Sequence, residues 1–341
     1  MKIKHRAILY IGSESYDAPT ITVLQGLQEL DYTIYAYKTN VNSWFCETLI
    51  PESALPRVDF VLSNLHWGTR WARYGRIPKS LPRVLIDGDD EYWGRGWRFK
   101  YGQYWDRYQH NAPGNIKMSS PCPYRWMEPI GDYEPDVLFV SHKQARQDAF
   151  YLPFGIQREY MEMGRNAITD ERPLDFLHIP GAGKARRRVH EMIDRGLVPG
   201  ITVSRQARSM PQYPPGLRVR GRTASSHQRW GQDPAYYDAM KRTKALIYPA
   251  IDGPQWDSKR PYEALACGCM LVMQRPRCDQ SDYPLDDLGV YFEGPDDLPR
   301  ACNLLLADGI ESARRRAYLA SEMFAPVPIA LYFLEKICSK A

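Results

Sequence analysis

Short apolar runs separated by polar, glycine-containing loops recur along this chain, and their spacing decides how it is read. In 6-RAILYIGSESYDAPTITVLQGLQELDYTIYAY-37 a continuous apolar run passes into a Gly/Ser loop. Apolar residues at Ile21, Leu24, Leu27 and Leu30 follow at the three-and-four spacing of one helix face, and then comes a second apolar run. That order predicts a β-α-β unit. Further runs at 58-VDFVLSN-64, 83-RVLID-87 and 136-DVLFVS-141 are apolar without alternation, as strands covered on both faces are, and each ends in polar residues. They predict further strands of a parallel sheet with polar groups at the carboxyl edge, where open α/β sheets bind ligands.

At 151-YLPFGIQREY-160 the pattern breaks on Pro153 and Gly155, and polar sequence runs on to Pro173. A domain junction is expected there. A second series opens with 174-LDFLHIPG-181, then a basic loop and a helix over 184-KARRRVHEMIDRG-196, a strand at 201-ITVS-204 and a polar, proline-rich passage. It resumes with a helix over 234-PAYYDAMKRT-243, a strand at 245-ALIYPA-250, a short helix and a strand at 270-MLVMQ-274. Both halves therefore read as parallel α/β sheets. The last stretch, 326-PVPIALYFLEKICSKA-341, reads as an apolar-faced helix after two prolines.

At 341 residues the chain exceeds one ordinary core and fits two domains of about 150 residues each. The expected division is an N-terminal Rossmann-like domain over 1–156, a second over 157–325, and a C-terminal helix over 326–341 that docks back on the first. Two lobes imply a cleft between them. No apolar run approaches the roughly 18 residues needed to span a bilayer, and MKIKHRAILYIG enters a strand pattern directly. The expectation is no transmembrane segment, no signal peptide and a cytoplasmic address. The seven cysteines show no CxxC spacing, and Cys267 and Cys269 flank a single glycine, too tight for a usual zinc pair. They read as reduced structural thiols. The net charge of +5 permits an anionic ligand without demanding nucleic acid.

The most informative stretch is 258-SKRPYEALACGCMLVMQ-274. Pro261 reads as a helix start, Glu263 falls in its first turn and Gly268 reads as its stop. An acid near a helix N-terminus is favourable against the macrodipole and common for that reason alone. That ordinary reading leaves Ser258, Lys259 and Arg260 unexplained. Cations there oppose the dipole and suit a bound anion, so the arrangement points to phosphate at the helix tip, with Glu263 reaching past it.

Two α/β lobes, a basic loop after the first strand of the second, and this late helix together resemble a glycosyltransferase of the GT-B fold, in the group-1 and CgeB-like families. The resemblance is carried by 236-YYDAMKRTKALIYPAIDG-253 and 257-DSKRPYEALACGCMLV-272, the latter similar to the pattern R-x-x-E-A-x-A-C-G-x-x-x-V. Weaker support comes from 176-FLHIPGAGKARRR-188 and 151-YLPFGI-156. The resemblance implies an α/β fold of two Rossmann-like parallel-sheet domains facing a central cleft. It implies that Glu263 binds the ribose hydroxyls of a nucleotide-sugar donor of UDP or GDP type. Basic residues and the helix N-terminus would hold the diphosphate, with no metal and no further cofactor. A carboxylate accepting from a vicinal diol beside cations facing phosphate is coherent chemistry. One departure matters. Many retaining members carry E-x7-E, and here the first position is Gln255. An amide cannot lend charge to a developing oxocarbenium ion, which puts retention of configuration in doubt.

The remaining constellations each carry an ordinary reading beside a functional one. In 181-GAGKARRR-188, Lys184 and Arg186 are candidate phosphate ligands, and a solvated basic helix face is the alternative. GAGKA lacks the spacing of a Walker A loop. Gly12, a candidate donor contact, opens 12-GSESYDAP-19, similar to the glycine loop of the first lobe in this fold, or else an ordinary β-α connection. The absence of G-x-G-x-x-G there disfavours a dinucleotide oxidoreductase. In 87-DGDDEYW-93, Asp87, Asp89 or Asp90 is a candidate general base for an acceptor hydroxyl, or part of a polar turn closing a strand. Six of the nine tryptophans lie between His66 and Trp126 among arginines and tyrosines. Trp97, Arg98 and Trp105 are the candidate acceptor contacts, since aromatic faces stack on sugars or unstacked bases, and half-buried packing is the alternative.

Three functions follow from this reading. The first is transfer of a hexose or pentose from a nucleotide sugar to a hydroxyl of a glycan or glycoconjugate. The second is the same chemistry on a hydroxymethylated DNA base, of the kind bacteriophages use, motivated by the basic aromatic segment. The third is a non-catalytic glycan- or nucleic-acid-binding protein on the same fold, motivated by Gln255. The sugar, the nucleotide, the acceptor and the oligomeric state are not legible in the sequence.

Overall fold

The computed structural model of the chain describes residues 2–11, 18–36, 48–49, 57–64, 80–87, 135–140, 149–168, 171–178, 191, 203–205, 218–219, 222–223, 234–248, 259–274 and 288–340, some of them by backbone only. These residues divide into two compact units, Met1–Phe154 with Pro326–Ala341, and Gly155–Ala325.

In the first unit the strands are β1 (Ala7–Ile11), β2 (Thr33–Ala36), β3 (Thr48–Leu49), β4 (Phe60–Asn64), β5 (Arg83–Asp87), β6 (Val137–Val140) and β7 (Ala149–Tyr151). They form one seven-stranded sheet in the order β3-β2-β1-β4-β5-β6-β7, with every pairing parallel. Helix α1 (Ala18–Glu29) joins β1 to β2. Of the expected apolar face, Leu24 and Leu27 are fully buried, while Ile21 and Leu30 are only partly so. Thr20, Thr22, Val23 and Gln25 are buried too. The reason is a second cover: the C-terminal helix Pro326–Ser339 packs along α1, so α1 is enclosed on more than its sheet-facing side. Gly26 is what lets the two helices meet. A Cβ at that position would collide with the carbonyl oxygen of Pro326.

The second unit holds α2 (Arg158–Ala167), β8 (Leu174–His178), β9 (Val203–Arg205), β10 (Arg218–Val219), β11 (Arg222–Thr223), α3 (Pro234–Lys241), β12 (Thr243–Tyr248), α4 (Lys259–Ala266), β13 (Met270–Gln274), β14 (Gly289–Phe292), α5 (Leu298–Ala307) and α6 (Ile310–Ser321). Its main sheet is five-stranded in the order β14-β13-β12-β8-β9, again entirely parallel. Strands β10 and β11 form a separate antiparallel pair. The inner strands are mostly apolar and buried, Leu246, Ile247, Leu271 and Val272 among them, as strands covered on both faces tend to be.

Several elements differ from the sequence expectation. The helix expected over 184–196 lies outside the described residues except for Glu191. The stretch from Arg158 to Ala167, expected as polar connection, is helical, with Tyr160, Met161 and Gly164 on its covered side. Strands β7 and β14 and helices α5 and α6 had no counterpart in the pattern reading. No single helix among the described residues is long and apolar enough to cross a membrane.

Candidate functional site

The second sheet reverses direction beside β8. Strand β9 follows it on one side, and β12 lies on the other. In doubly wound sheets ligands bind outside the carboxyl ends of the strands at such a point. His178 ends β8 in register with Ile247 of β12 and with Arg205 of β9. The segment leaving β8 carries Lys184 and Arg186, and the segment leaving β12 carries Ser258 and runs into α4. A parallel crossover returns its helix against the strand direction, so the N-terminus of α4 belongs to the same carboxyl edge. Chain topology therefore brings the end of β8 and the first turn of α4, with Lys259 and Arg260, to one sheet edge. Lys184, Arg186 and Ser258 themselves lie outside the described residues, and of Lys259 only the backbone is described.

Helix α4 starts at Lys259, two residues before the expected start at Pro261. Proline is excluded only where an N–H must donate within the helix, and the first-turn N–H groups have no intrahelical acceptor. Lys259 and Arg260 therefore sit within the first turn, and Glu263 lies beyond it. The stop is as expected. Gly268 adopts φ of +71°. Its N–H bonds the Leu265 carbonyl at 2.8 Å, and the Cys269 N–H bonds the Ala264 carbonyl at 2.8 Å. That pair of bonds is the Schellman motif, whose left-handed position suits glycine.

Glu263 is 3% exposed. The Tyr237 hydroxyl, on α3, donates to its Oε1 at 3.0 Å. The Tyr237 ring in turn stacks on Tyr160 of α2, with centroids 4.8 Å apart and planes 19° from parallel. Arg260 is also buried, at 9% exposure. A carboxylate at this depth is costly unless hydrogen-bonded, and the phenol supplies one such bond. The sequence placed Tyr237 on a predicted helix without marking it. Its signal is a tyrosine at a core-facing position, where a hydroxyl needs a partner. Tyr160 gave no signal, because its helix was not expected.

The amino edge of this sheet is built differently. The buried Arg172 guanidinium donates through Nη1 to the Thr243 carbonyl at 2.7 Å and the Met240 carbonyl at 3.4 Å, and through Nη2 to the Cys267 carbonyl. The Met240 oxygen lies in the last turn of α3, and those of Thr243 and Cys267 lie just past the ends of α3 and α4; the last carbonyls of a helix lack intrahelical donors and a cation there is favourable. The Cys269 thiol donates to the Met240 carbonyl at 3.1 Å. Burial pushes the Cys269 thiol up to about 11, against the pull of the nearby Arg172 charge. Cys267 is likewise raised by burial. These groups brace the fold at the edge opposite α4's N-terminus.

In the first unit Asp87 ends β5 in register with Val140 of β6, so its position is the carboxyl edge of the seven-stranded sheet. Gly12 follows directly on β1. Asp89, Asp90, Gly12, Trp97, Arg98 and Trp105 lie outside the described residues. Among the described residues, no group of three or more His, Cys, Asp or Glu side chains could hold a metal ion.

No protein-family model matches this chain, and no curated protein matches it in sequence. Solved structures do. The UDP complex of Anabaena Alr3699/HepE is similar over 98% of this chain and 100% of that one, at 10% identity and a TM-score of 0.50. AviGT4, a glycosyltransferase involved in avilamycin A biosynthesis, is similar over 96% of each chain at 14% identity and a TM-score of 0.49. Sucrose-phosphate synthase from Thermosynechococcus elongatus is similar over 98% of each chain at 12% identity and a TM-score of 0.49. At such identities likeness speaks to fold alone. With the two parallel sheets and the reversal beside β8, the HepE likeness places the architecture in the α/β class with the GT-B fold.

Proposed function

We propose that this chain is a glycosyltransferase that moves a hexose or pentose from a UDP- or GDP-type nucleotide sugar to an acceptor hydroxyl on a glycan or glycoconjugate, within the group-1 and CgeB-like families. The observation that supports it best is the convergence at one sheet edge. The first turn of α4, carrying Lys259 and Arg260, stands at the carboxyl edge of the sheet where the strand order reverses beside β8, with the buried Glu263 carboxylate one turn further in. Lys184, Arg186, Ser258 and Lys259, with the N–H groups of α4, hold the diphosphate. Arg260, buried in the first turn of α4, adds its charge. Glu263 accepts from the ribose hydroxyls.

In the reaction the acceptor oxygen bonds to the anomeric carbon, and the bond from that carbon to the diphosphate oxygen breaks. The nucleoside diphosphate leaves with the electron pair. The acceptor proton passes to a carboxylate among Asp87, Asp89 and Asp90, the base an inverting displacement needs. Gln255, standing where retaining relatives have an acid, agrees with inversion. Gly12, in the loop after β1, is assigned to the donor, and Trp97, Arg98 and Trp105 take the acceptor. The address proposed is cytoplasmic, and no metal is assigned a role.

A thermal-shift panel of nucleotides and nucleotide sugars tests the reading. A ligand at about 100 times its Kd adds roughly 2.7 kcal/mol. Stabilisation by one nucleotide and its sugar conjugates, and not by unrelated anions, is the expected result. Release of free sugar from the stabilising donor without acceptor then separates an enzyme from a binding protein of the same fold.

A DNA acceptor is the second reading, favoured by the six tryptophans and interleaved arginines between His66 and Trp126. Contacts to phosphates release counterions, so DNA affinity would fall steeply with salt. A neutral glycan would show almost no slope.

A further inference from the structure

We infer that Tyr237 is a positioning residue for ribose recognition, setting the plane of the Glu263 carboxylate so that the site discriminates ribonucleotides from 2′-deoxyribonucleotides. This rests on the proposed nucleotide-sugar reading and goes beyond it.

The terminal torsion of a glutamate is broad, so a carboxylate plane is not fixed by its own side chain. Recognition of two adjacent hydroxyls requires both carboxylate oxygens at defined places. In this structure the Tyr237 hydroxyl donates to Oε1 at 3.0 Å. Both residues are 3% exposed, and a hydrogen bond in such surroundings is stronger than in water. The phenol is itself held, because its ring stacks on Tyr160 at 4.8 Å. Three helices meet here: α2 holds the ring of α3's tyrosine, and that tyrosine holds the acid of α4. The carboxylate is thus oriented before any ligand arrives, which lowers the ordering cost of binding.

Calorimetric titration of UDP, GDP and their 2′-deoxy counterparts into the wild type, Tyr237→Phe and Tyr160→Leu provides the test. The wild type should bind one ribonucleotide about 10-fold or more tightly than its 2′-deoxy form, the loss expected for one charge-assisted hydrogen bond. In Tyr237→Phe that ratio should fall to within about 3-fold, chiefly through weaker ribonucleotide binding. Tyr160→Leu keeps the hydroxyl and the acid but removes the stack, and should move the ratio the same way. A purely structural tyrosine would lower both affinities equally and leave the ratio intact in whichever variant folds, which overturns the inference while the nucleotide reading stands. Absence of any binding of UDP or GDP by the wild type overturns both.

Discussion

Arg172 is the residue whose removal has the most direct structural consequence. Its guanidinium reaches carbonyls of Met240, Thr243 and Cys267, each in the last turn of a helix or just past its end and each buried. Arg172→Met keeps the stem and deletes the donors. It should destabilise the protein by about 2 to 4 kcal/mol in urea unfolding, since a hydrogen bond from a charged donor is worth about 1.5 to 3 kcal/mol and the Cys269 thiol still donates to the Met240 carbonyl. Arg172→Lys should recover only part, because an ammonium lacks the planar fork. The buried thiols make a second prediction. Burial pushes Cys302 up to about 12 and Cys269 up to about 11, whereas an unfolded thiol titrates near about 8.5. Above that pH the unfolded chain has lost protons that the folded chain keeps, so unfolding is favoured. Stability should be flat in these groups below about pH 8 and decline towards pH 11, by up to roughly 1.4 kcal/mol per pH unit for each thiol. Cys302→Ala should shallow the decline by one thiol's share. An identical slope in the variant would mean that other groups carry it.

Among the elements, the C-terminal helix shows most clearly what the pattern of the chain carried and what it did not. Its apolar face was legible from residues 326 to 341, but the surface that receives it is made by tertiary packing. Phe333 meets Phe139 at 4.7 Å and Phe60 at 6.1 Å between ring centroids, beneath the helix and on the first sheet. Phe333→Ala should therefore cost about 3 to 5 kcal/mol, measured by chemical denaturation, with the deficit in the first unit. The strands of both sheets were legible because they are continuous apolar runs. Helix α2 was not, because its covered side rests on a glycine: a Cβ at Gly164 would collide with the Ala266 carbonyl of α4. Close approach through a missing side chain leaves no apolar periodicity to read. The start of α4 was misplaced by two residues, because Pro261 marks a first turn without marking its first residue.

At the scale of the whole molecule, the alternation of runs and loops was enough for a two-sheet α/β architecture, and the strand orders now show where each sheet reverses. The sequence also singled out Glu263 and the cations before it. What it could not show was the burial of Glu263 and Arg260, or the phenol that holds the acid, since these depend on α2, α3 and α4 meeting in space. The central claim is that the second unit binds a nucleotide sugar through Glu263. Its most direct measurement is calorimetric titration of UDP-sugars and GDP-sugars into the wild type and into Glu263→Ala, with far-UV circular dichroism confirming that the variant is folded. Saturable one-to-one binding to the wild type, weakened roughly 10- to 150-fold in the variant, is the result expected from losing a charged acceptor worth about 1.5 to 3 kcal/mol. Binding of equal strength in both proteins, or no binding of any nucleotide sugar by the wild type, would contradict it.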